Sequence, residues 1–205
     1  INVLPVYSVN GNVDLSTGNI DFVGNVVVKG DVQAGFEVKA GGNIEIKGNV
    51  SGAVIECEGD LVIHKGFIGK DKGYIDCGGD VKIKFVENAR VNSRGNIIVS
   101  DAVMHSKLFA GKDIKVYKNK GLIVGGKCRA SEKIEANIIG SNFATTTELE
   151  AGINPEVKER SREIKEEIKS ELNYDWTDYL DLNITSGYNI YDQEYLPLKG
   201  VLKLW

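Results

Sequence analysis

Six short segments of the chain superimpose with an apolar pair in the same two columns: Ile44 and Ile46, Leu61 and Ile63, Val81 and Ile83, Ile97 and Val99, Ile114 and Val116, and Ile134 and Ala136. They recur about every 16 to 20 residues. In four of them Gly followed by Asn or Asp stands just ahead of the pair, as Gly42-Asn43, Gly59-Asp60, Gly79-Asp80 and Gly95-Asn96. Gly24-Asn25 ahead of Val26 and Val28 adds a seventh segment in front. A unit this short cannot bury an apolar face alone, but a stack of such units can. The period therefore predicts an all-β solenoid, with coils over residues 10–150.

One repeat shows how the chain winds. Along Gly42-Asn43-Ile44-Glu45-Ile46-Lys47-Gly48-Asn49-Val50 apolar and polar residues alternate. This directs Ile44, Ile46 and Val50 inward and leaves Glu45 and Lys47 to water. Gly48 then turns the corner, so that each coil offers about three short faces. Glycine accepts positive φ, and Asn and Asp accept it better than most residues, so the corners are expected to carry Gly-Asn and Gly-Asp for that reason.

Composition agrees with ordered turns. The chain holds 24 Gly but only 3 Pro among 205 residues, without the proline of a disordered or collagenous segment. Hydrophobic residues make up 42%, enough for a narrow continuous core, and the 26% that are charged can cover the outside. A formal net charge of -4 argues against a general affinity for nucleic acid or for anionic membrane surfaces. No apolar run approaches the roughly 20 residues that cross a bilayer, and no signal-peptide pattern precedes Val3. Ile1 in place of Met, and the stop at Trp205, read as the ends of a fragment.

The cysteines read as packing residues. Cys57 and Cys77 each lie four residues before the first apolar position of their repeat, in a column shared with Ala40, Ser93, Ala110 and Ala130. Parallel neighbours about 4.8 Å apart would bring the two together, yet stacking strand on strand suits a disulfide poorly. Reduced thiols are expected. Cys128 has no partner in that column, and the three spacings match no zinc pattern.

Three units follow from these patterns: a solenoid over 1–152, an amphipathic helix over 153–173 and an aromatic-rich tail over 174–205. Val3 to Val9, weakened as an extendable strand by Pro5, reads as a partial N-terminal cap. Asn154-Pro155-Glu156 reads as a helix start, with an N-cap, Pro at the first helical position and an acid in the first turn. Val157, Ile164, Ile168 and Leu172 form a narrow stripe among Lys, Arg and Glu, suited either to docking on the solenoid or to pairing between copies. Tyr174, Trp176, Tyr179, Tyr188, Tyr191, Tyr195 and Trp205 crowd the tail, which reads as folding back on the solenoid end or onto a second copy.

A search for chemistry returns little. His64 and His105 sit at different phases of the repeat, and neither has a Ser, Cys or carboxylate at triad spacing. Asp71, Asp76 and Asp80, with Lys70 and Lys72 near them, are the closest approach to the calcium-and-base cluster of a polysaccharide-active β-helix enzyme, but corner Asp residues account for them as well. Gly24 to Gly30 and Gly42 to Gly48 show the six-residue step of a hexapeptide-type acyltransferase, with His105 as its one plausible base, but the inserts at 64–74 and 117–128 break that step. Gly66 to Gly73 and Gly121 to Gly126 lack the helix that a phosphate loop needs and read as wide corners. Asn49-Val50-Ser51 and Asn183-Ile184-Thr185 match the glycosylation triplet, which carries meaning only in a secreted protein. No catalytic, cofactor or metal residue is assigned.

Several stretches carry a resemblance to a known family: Val13-Asp14-Leu15-Ser16-Thr17-Gly18-Asn19-Ile20-Asp21-Phe22-Val23-Gly24, Gly30-Asp31-Val32-Gln33-Ala34-Gly35-Phe36, Lys84-Phe85-Val86-Glu87-Asn88-Ala89, His105-Ser106, and Lys120-Gly121-Leu122-Ile123-Val124-Gly125-Gly126. In this order they resemble the bacterial flagellar assembly protein A (FapA) family over roughly residues 3 to 157. The resemblance implies a cytoplasmic bacterial protein with a right-handed parallel β-helix, similar in kind to bactofilins and to the β-helical domain of the division inhibitor MinC. Members usually carry an N-terminal domain and a long charged coiled coil after the solenoid; this chain lacks the first and shortens the second to 154–173. The expectation is a non-enzymatic scaffold that forms a homo-oligomer, through its helix and tail or its solenoid ends, or presents a rigid surface to a protein partner in flagellar or polar assembly. The alternatives are the acyltransferase and the polysaccharide-active enzyme.

Overall fold

The computed structural model describes residues 5–70, 72–141 and 145–152, together with Arg160, residues 162–164, Glu166 and the backbone of residues 201–204. Three columns of short parallel strands stack along one axis. Face one begins with Val6–Val9, continues through Asn25–Val28, Ile44–Ile46 and the starts of Leu61–Ile68, Val81–Glu87 and Ile97–Ala110, and ends with Ile114–Val116 and Ile134–Ala136. These eight rungs number the coils 1 to 8. Face two runs from Val13 and Val32 through Val50–Ser51 and the later parts of the long strands to Ile138–Ile139. Face three starts at Ile20–Phe22 and ends at Thr147–Ala151. The parallel solenoid expected from the period is what the chain forms.

The six apolar pairs stand in register on face one, from Ile44 beside Leu61 to Val116 beside Ala136. Their side chains are buried except at coil 8, where Ile134 and Ala136 are only partly covered. Face three contributes a second inward column, Ile20, Val38, Ile55, Ile75, Val91, Leu108, Cys128 and Leu149. Cys128 thus replaces an aliphatic residue in that column. The small-residue column is also in register, from Ala40 beside Cys57 to Ala110 beside Ala130. Alternation alone placed these residues, because side chains of a strand point to opposite faces in turn.

The corners have a different cause from the one expected. Gly24, Gly30, Gly42, Gly48, Gly59, Gly79 and Gly95 all lie outside the positive-φ region. What excludes a side chain is the coil before. Asn25 Oδ1 accepts the Asn43 N–H at 2.8 Å, Asn43 Oδ1 accepts that of Asp60 at 2.8 Å, Asp60 Oδ1 that of Asp80 at 2.7 Å, and Asp80 Oδ1 that of Asn96 at 2.8 Å. A final step joins Asn96 Oδ1 to the Asp113 N–H at 3.3 Å. The first four of these side chains reach across the glycine of the next coil to do so, whereas Asn96 meets Lys112 in that position and makes the longest of the contacts. A Cβ on Gly42 would stand 2.5 Å from Asn25 Oδ1, and Cβ atoms on Gly59, Gly79 and Gly95 would overlap the Oδ1 of Asn43, Asp60 and Asp80. On the corner between faces one and two, Asn12, Asp31 and Asn49 form a second ladder of this kind, with Gly30 and Gly48 beneath the first two. The Gly-Asx dipeptide is therefore one device: glycine clears the space in which the previous Asx caps an otherwise unpaired corner amide.

Positive φ is confined to other turns. Gly52, Lys70, Asn88, His105 and Gly125 take it where face two passes to face three. Gly66, expected in a wide corner, lies within Leu61–Ile68, and the Phe85 ring of the next coil occupies the place a Cβ would need. Beyond coil 8, Arg160, residues 162–164 and Glu166 are helical and exposed, with Arg160 Nη1 3.1 Å from Glu163 Oε2. The remainder of the expected helix and most of the aromatic tail lie outside the described residues. Val201–Leu204 adds an antiparallel strand to Thr147–Ala151 on the last coil, a pairing the tail's composition did not announce.

The coupling within the Gly-Asx device is measurable. Gly59→Ala should destabilise the protein by about 1–3 kcal/mol through overlap with Asn43 Oδ1. Asn43→Ala should cost about 1 kcal/mol through the lost cap. Combined, the two should cost at least about 0.5 kcal/mol less than their sum, since the second removes the atom that the first strikes. Urea unfolding of the four proteins checks this, and strict additivity would contradict it.

Candidate functional site

A solenoid offers its outer faces, and each repeats one register position down its length, so like chemistry accumulates in columns. The outward residues of face two are apolar over coils 4 to 8: Ile68, Phe85, Met104, Leu122, Val124 and Ile138. Most are half-buried by one another, while Ile138 is 53% exposed. A water-facing sheet surface ordinarily alternates to polar residues. Here only Glu87 interrupts the strip.

Face three is charged, and its sign changes along the axis. Coils 1 to 4 present Asp21, Glu37, Lys39, Glu56 and Asp76, four acids against one base. Lys39 Nζ lies 2.9 Å from Glu37 and 3.2 Å from Glu56, and the Tyr74 hydroxyl donates to Glu56. That phenol bond, more than the lysine, holds the Glu56 carboxyl below its ordinary range, and the same bond raises Tyr74. Coils 5 to 7 present Arg90, Lys107, Lys127 and Arg129 around Phe109, with no acid among their outward positions. The Arg90 and Arg129 guanidiniums lie 5.4 and 5.6 Å from the Phe109 centroid, within reach of its ring quadrupole. In coil 8, Glu148 lies 2.6 Å from Lys127, and buried Glu150 lies 3.1 Å from Lys127 and 2.5 Å from Arg129.

The residues weighed for chemistry do not converge. His64 Nε2 is 2.8 Å from Glu45 Oε1 and 3.3 Å from Lys47 Nζ in a surface cluster, where Lys47 and then His64 lower the Glu45 carboxyl. His105 stands at the far end of another coil, in a positive-φ corner beside Gly125 and Thr145. Asp80 is spent on the corner ladder, Asp76 faces outward on face three, and Asp71 lies outside the described residues. Among the described residues no three His, Cys, Asp or Glu gather as metal ligands, and no helix is long and apolar enough to cross a membrane.

Cys57 and Cys77 are register partners with Sγ atoms 2.7 Å apart, both free and buried. The neighbouring thiol, followed by burial, pushes Cys77 upward. Burial alone pushes Cys128 up to about 12. An unfolded thiol ionises near about pH 8.5, so above that pH the unfolded chain sheds a proton that folded Cys128 keeps. The stability linked to this thiol is fully present below about pH 8.5 and declines as pH rises towards 12, by up to about 1.4 kcal/mol per pH unit. Cys128→Ala should therefore show a shallower loss of stability between about pH 8.5 and about pH 10.5. Urea titrations of both proteins test this, and equal slopes would contradict it.

The sequence exposed the buried columns but not the meaning of the outward ones. The signal was present in the alternation: once Arg90, Lys107 and Lys127 are known to share one column, their common sign is visible in the sequence itself. A family model described as the Flagellar Assembly Protein A beta solenoid domain matches residues 5–186. No curated protein and no solved structure matches the chain.

Proposed function

Because the chain belongs to the flagellar assembly protein A family, we propose that it is a non-enzymatic scaffold in flagellar assembly, acting in the bacterial cytoplasm by presenting rigid solenoid faces to protein partners and to copies of itself. The observation that carries this reading is the apolar strip on face two. Its residues are fixed at about 4.8 Å intervals by the stack beneath them, and a continuous apolar surface of this kind marks a protein contact. A strip held by backbone register offers a partner a preorganised surface, which lowers the ordering cost of association. The enzyme alternatives find less support, since His105 occupies a corner with positive φ, as Gly52, Lys70 and Asn88 do, and among the described residues makes no hydrogen bond or ion pair with a second catalytic group.

Complementation separates the readings. In a bacterium whose flagellation depends on this gene, Met104→Asp with Leu122→Asp should leave the fold intact by circular dichroism and abolish flagella. His105→Gln should leave flagella unchanged. Loss of flagella with His105→Gln, alongside normal flagella in the face-two variant, would overturn the scaffold reading in favour of catalysis.

A further inference from the structure

Two thiols of neighbouring coils lie one above the other in this stack. Cys57 closes the face-three strand of coil 3, Cys77 closes that of coil 4, and the two are register partners. Parallel partners stand about 4.8 Å apart, inside the Cα separations of about 4.4–6.8 Å that a disulfide spans. Strand stacking suits a disulfide poorly when the two side chains diverge; here both turn into the core, and their Sγ atoms are 2.7 Å apart. The column leaves them to each other, with Ala40 before Cys57 and Ser93 after Cys77. We propose that Cys57 and Cys77 form an oxidation site, at which a hydroperoxide converts the two thiols to a disulfide that staples coil 3 to coil 4.

Of the two, Cys57 is the less covered, 7% exposed against 2% for Cys77, and its thiol donates to the Gly59 carbonyl at the corner, 3.3 Å away. It is therefore the sulfur that a small oxidant meets first. As the thiolate it attacks one oxygen of hydrogen peroxide; the O–O bond breaks, Cys57 becomes a sulfenic acid, and the departing hydroxide takes up the proton that the thiol had released, giving water. The Cys77 sulfur then attacks the Cys57 sulfur. An S–S bond forms, the S–O bond breaks, and hydroxide leaves with the Cys77 proton as a second water. Two electrons pass from the thiols to one peroxide. The neighbouring thiol and burial hold Cys77 protonated, so the site reacts during local opening of the coils and the reaction is slow. Once made, the bond joins two coils that otherwise hold each other only by nearest-neighbour contact.

The fold also decides which thiol is left out. Cys128 stands in the other inward column of face three, between Leu108 and Leu149, three coils beyond Cys77 and thus about 14 Å along the axis. No disulfide reaches that far. An unfolded chain has no such restriction.

Peptide mapping of the whole folded chain tests the site. After incubation with about 1 mM hydrogen peroxide, the remaining thiols are blocked with N-ethylmaleimide in urea and the protein is digested with trypsin. The expected product is a linked Cys57–Cys77 peptide pair, at least about tenfold over any link to Cys128, with Cys128 recovered blocked and the pair released by dithiothreitol. The linked chain should melt at least about 4 °C higher than the reduced one. In Cys77→Ser, a residue this column already holds at Ser93, the reaction should stop at a Cys57 sulfenic acid that dimedone captures. Recovery of Cys57 and Cys77 both blocked, from protein whose Met104 has become the sulfoxide, would overturn the site. Links that form only in urea, or links to Cys128 in equal amount, would overturn it as well.

Discussion

Each coil of this protein is held by the coil before it and the coil after it. Among the described residues the strands of a coil pair with equivalent strands one repeat away, Val201–Leu204 on the last coil excepted, and inward side chains meet their own equivalents. Everything else follows from that spacing of about 4.8 Å. It makes Ile83 rest between Ile63 and Val99, it makes Ala, Ser and Cys share a column where space is limited, and it fixes the distance at which Asn43 can reach the amide of Asp60. Stability of such a stack is a sum of nearest-neighbour terms, with the ends least supported. The end at coil 8 shows this in the partial exposure of Ile134 and Ala136 and in the strand that Val201–Leu204 lays along the last rung of face three.

The same constraint shapes what the molecule can do. A repeated coil does not readily gather unlike side chains into one concave site, and the two histidines accordingly stand in separate corners. It does copy a choice of residue down a face. One outward face is thereby apolar across five coils but for Glu87, and another is mostly acidic over coils 1 to 4, basic over coils 5 to 7 and acidic again at coil 8. Under the scaffold proposal it is these extended surfaces that a protein partner would meet, and the family model that matches the chain is that of a flagellar assembly solenoid.

Much of the fold was legible because inward residues announce themselves by alternation. Ile44 with Ile46, and Cys57 with Cys77, could be aligned without coordinates, since a column of similar residues at constant phase seldom arises except by stacking. The reason for glycine at the corners was not legible. It depends on the Oδ1 of a residue about 17 to 20 positions earlier, and backbone freedom accounts for a corner glycine well enough until φ is known. Gly59 illustrates the point: its φ is ordinary, and Asn43 Oδ1, 2.2 Å from where a Cβ would stand, is the nearest atom that excludes one. The antiparallel strand at Val201–Leu204 was hidden for another reason, being a single pairing with no repeat to reveal it.

If the stack depends on Asx side chains crossing from coil to coil, the corner amides that they hold should behave as structural groups despite lying at the surface. Hydrogen exchange of the Asn43, Asp60, Asp80 and Asn96 amides measures this directly, with the Ile63 amide, within a central strand, as the internal reference. Protection of the four corner amides approaching that of Ile63 is the predicted result. Exchange at the rate of an open loop, with Ile63 still protected, would show that the corners are not held by the ladder and would contradict the account.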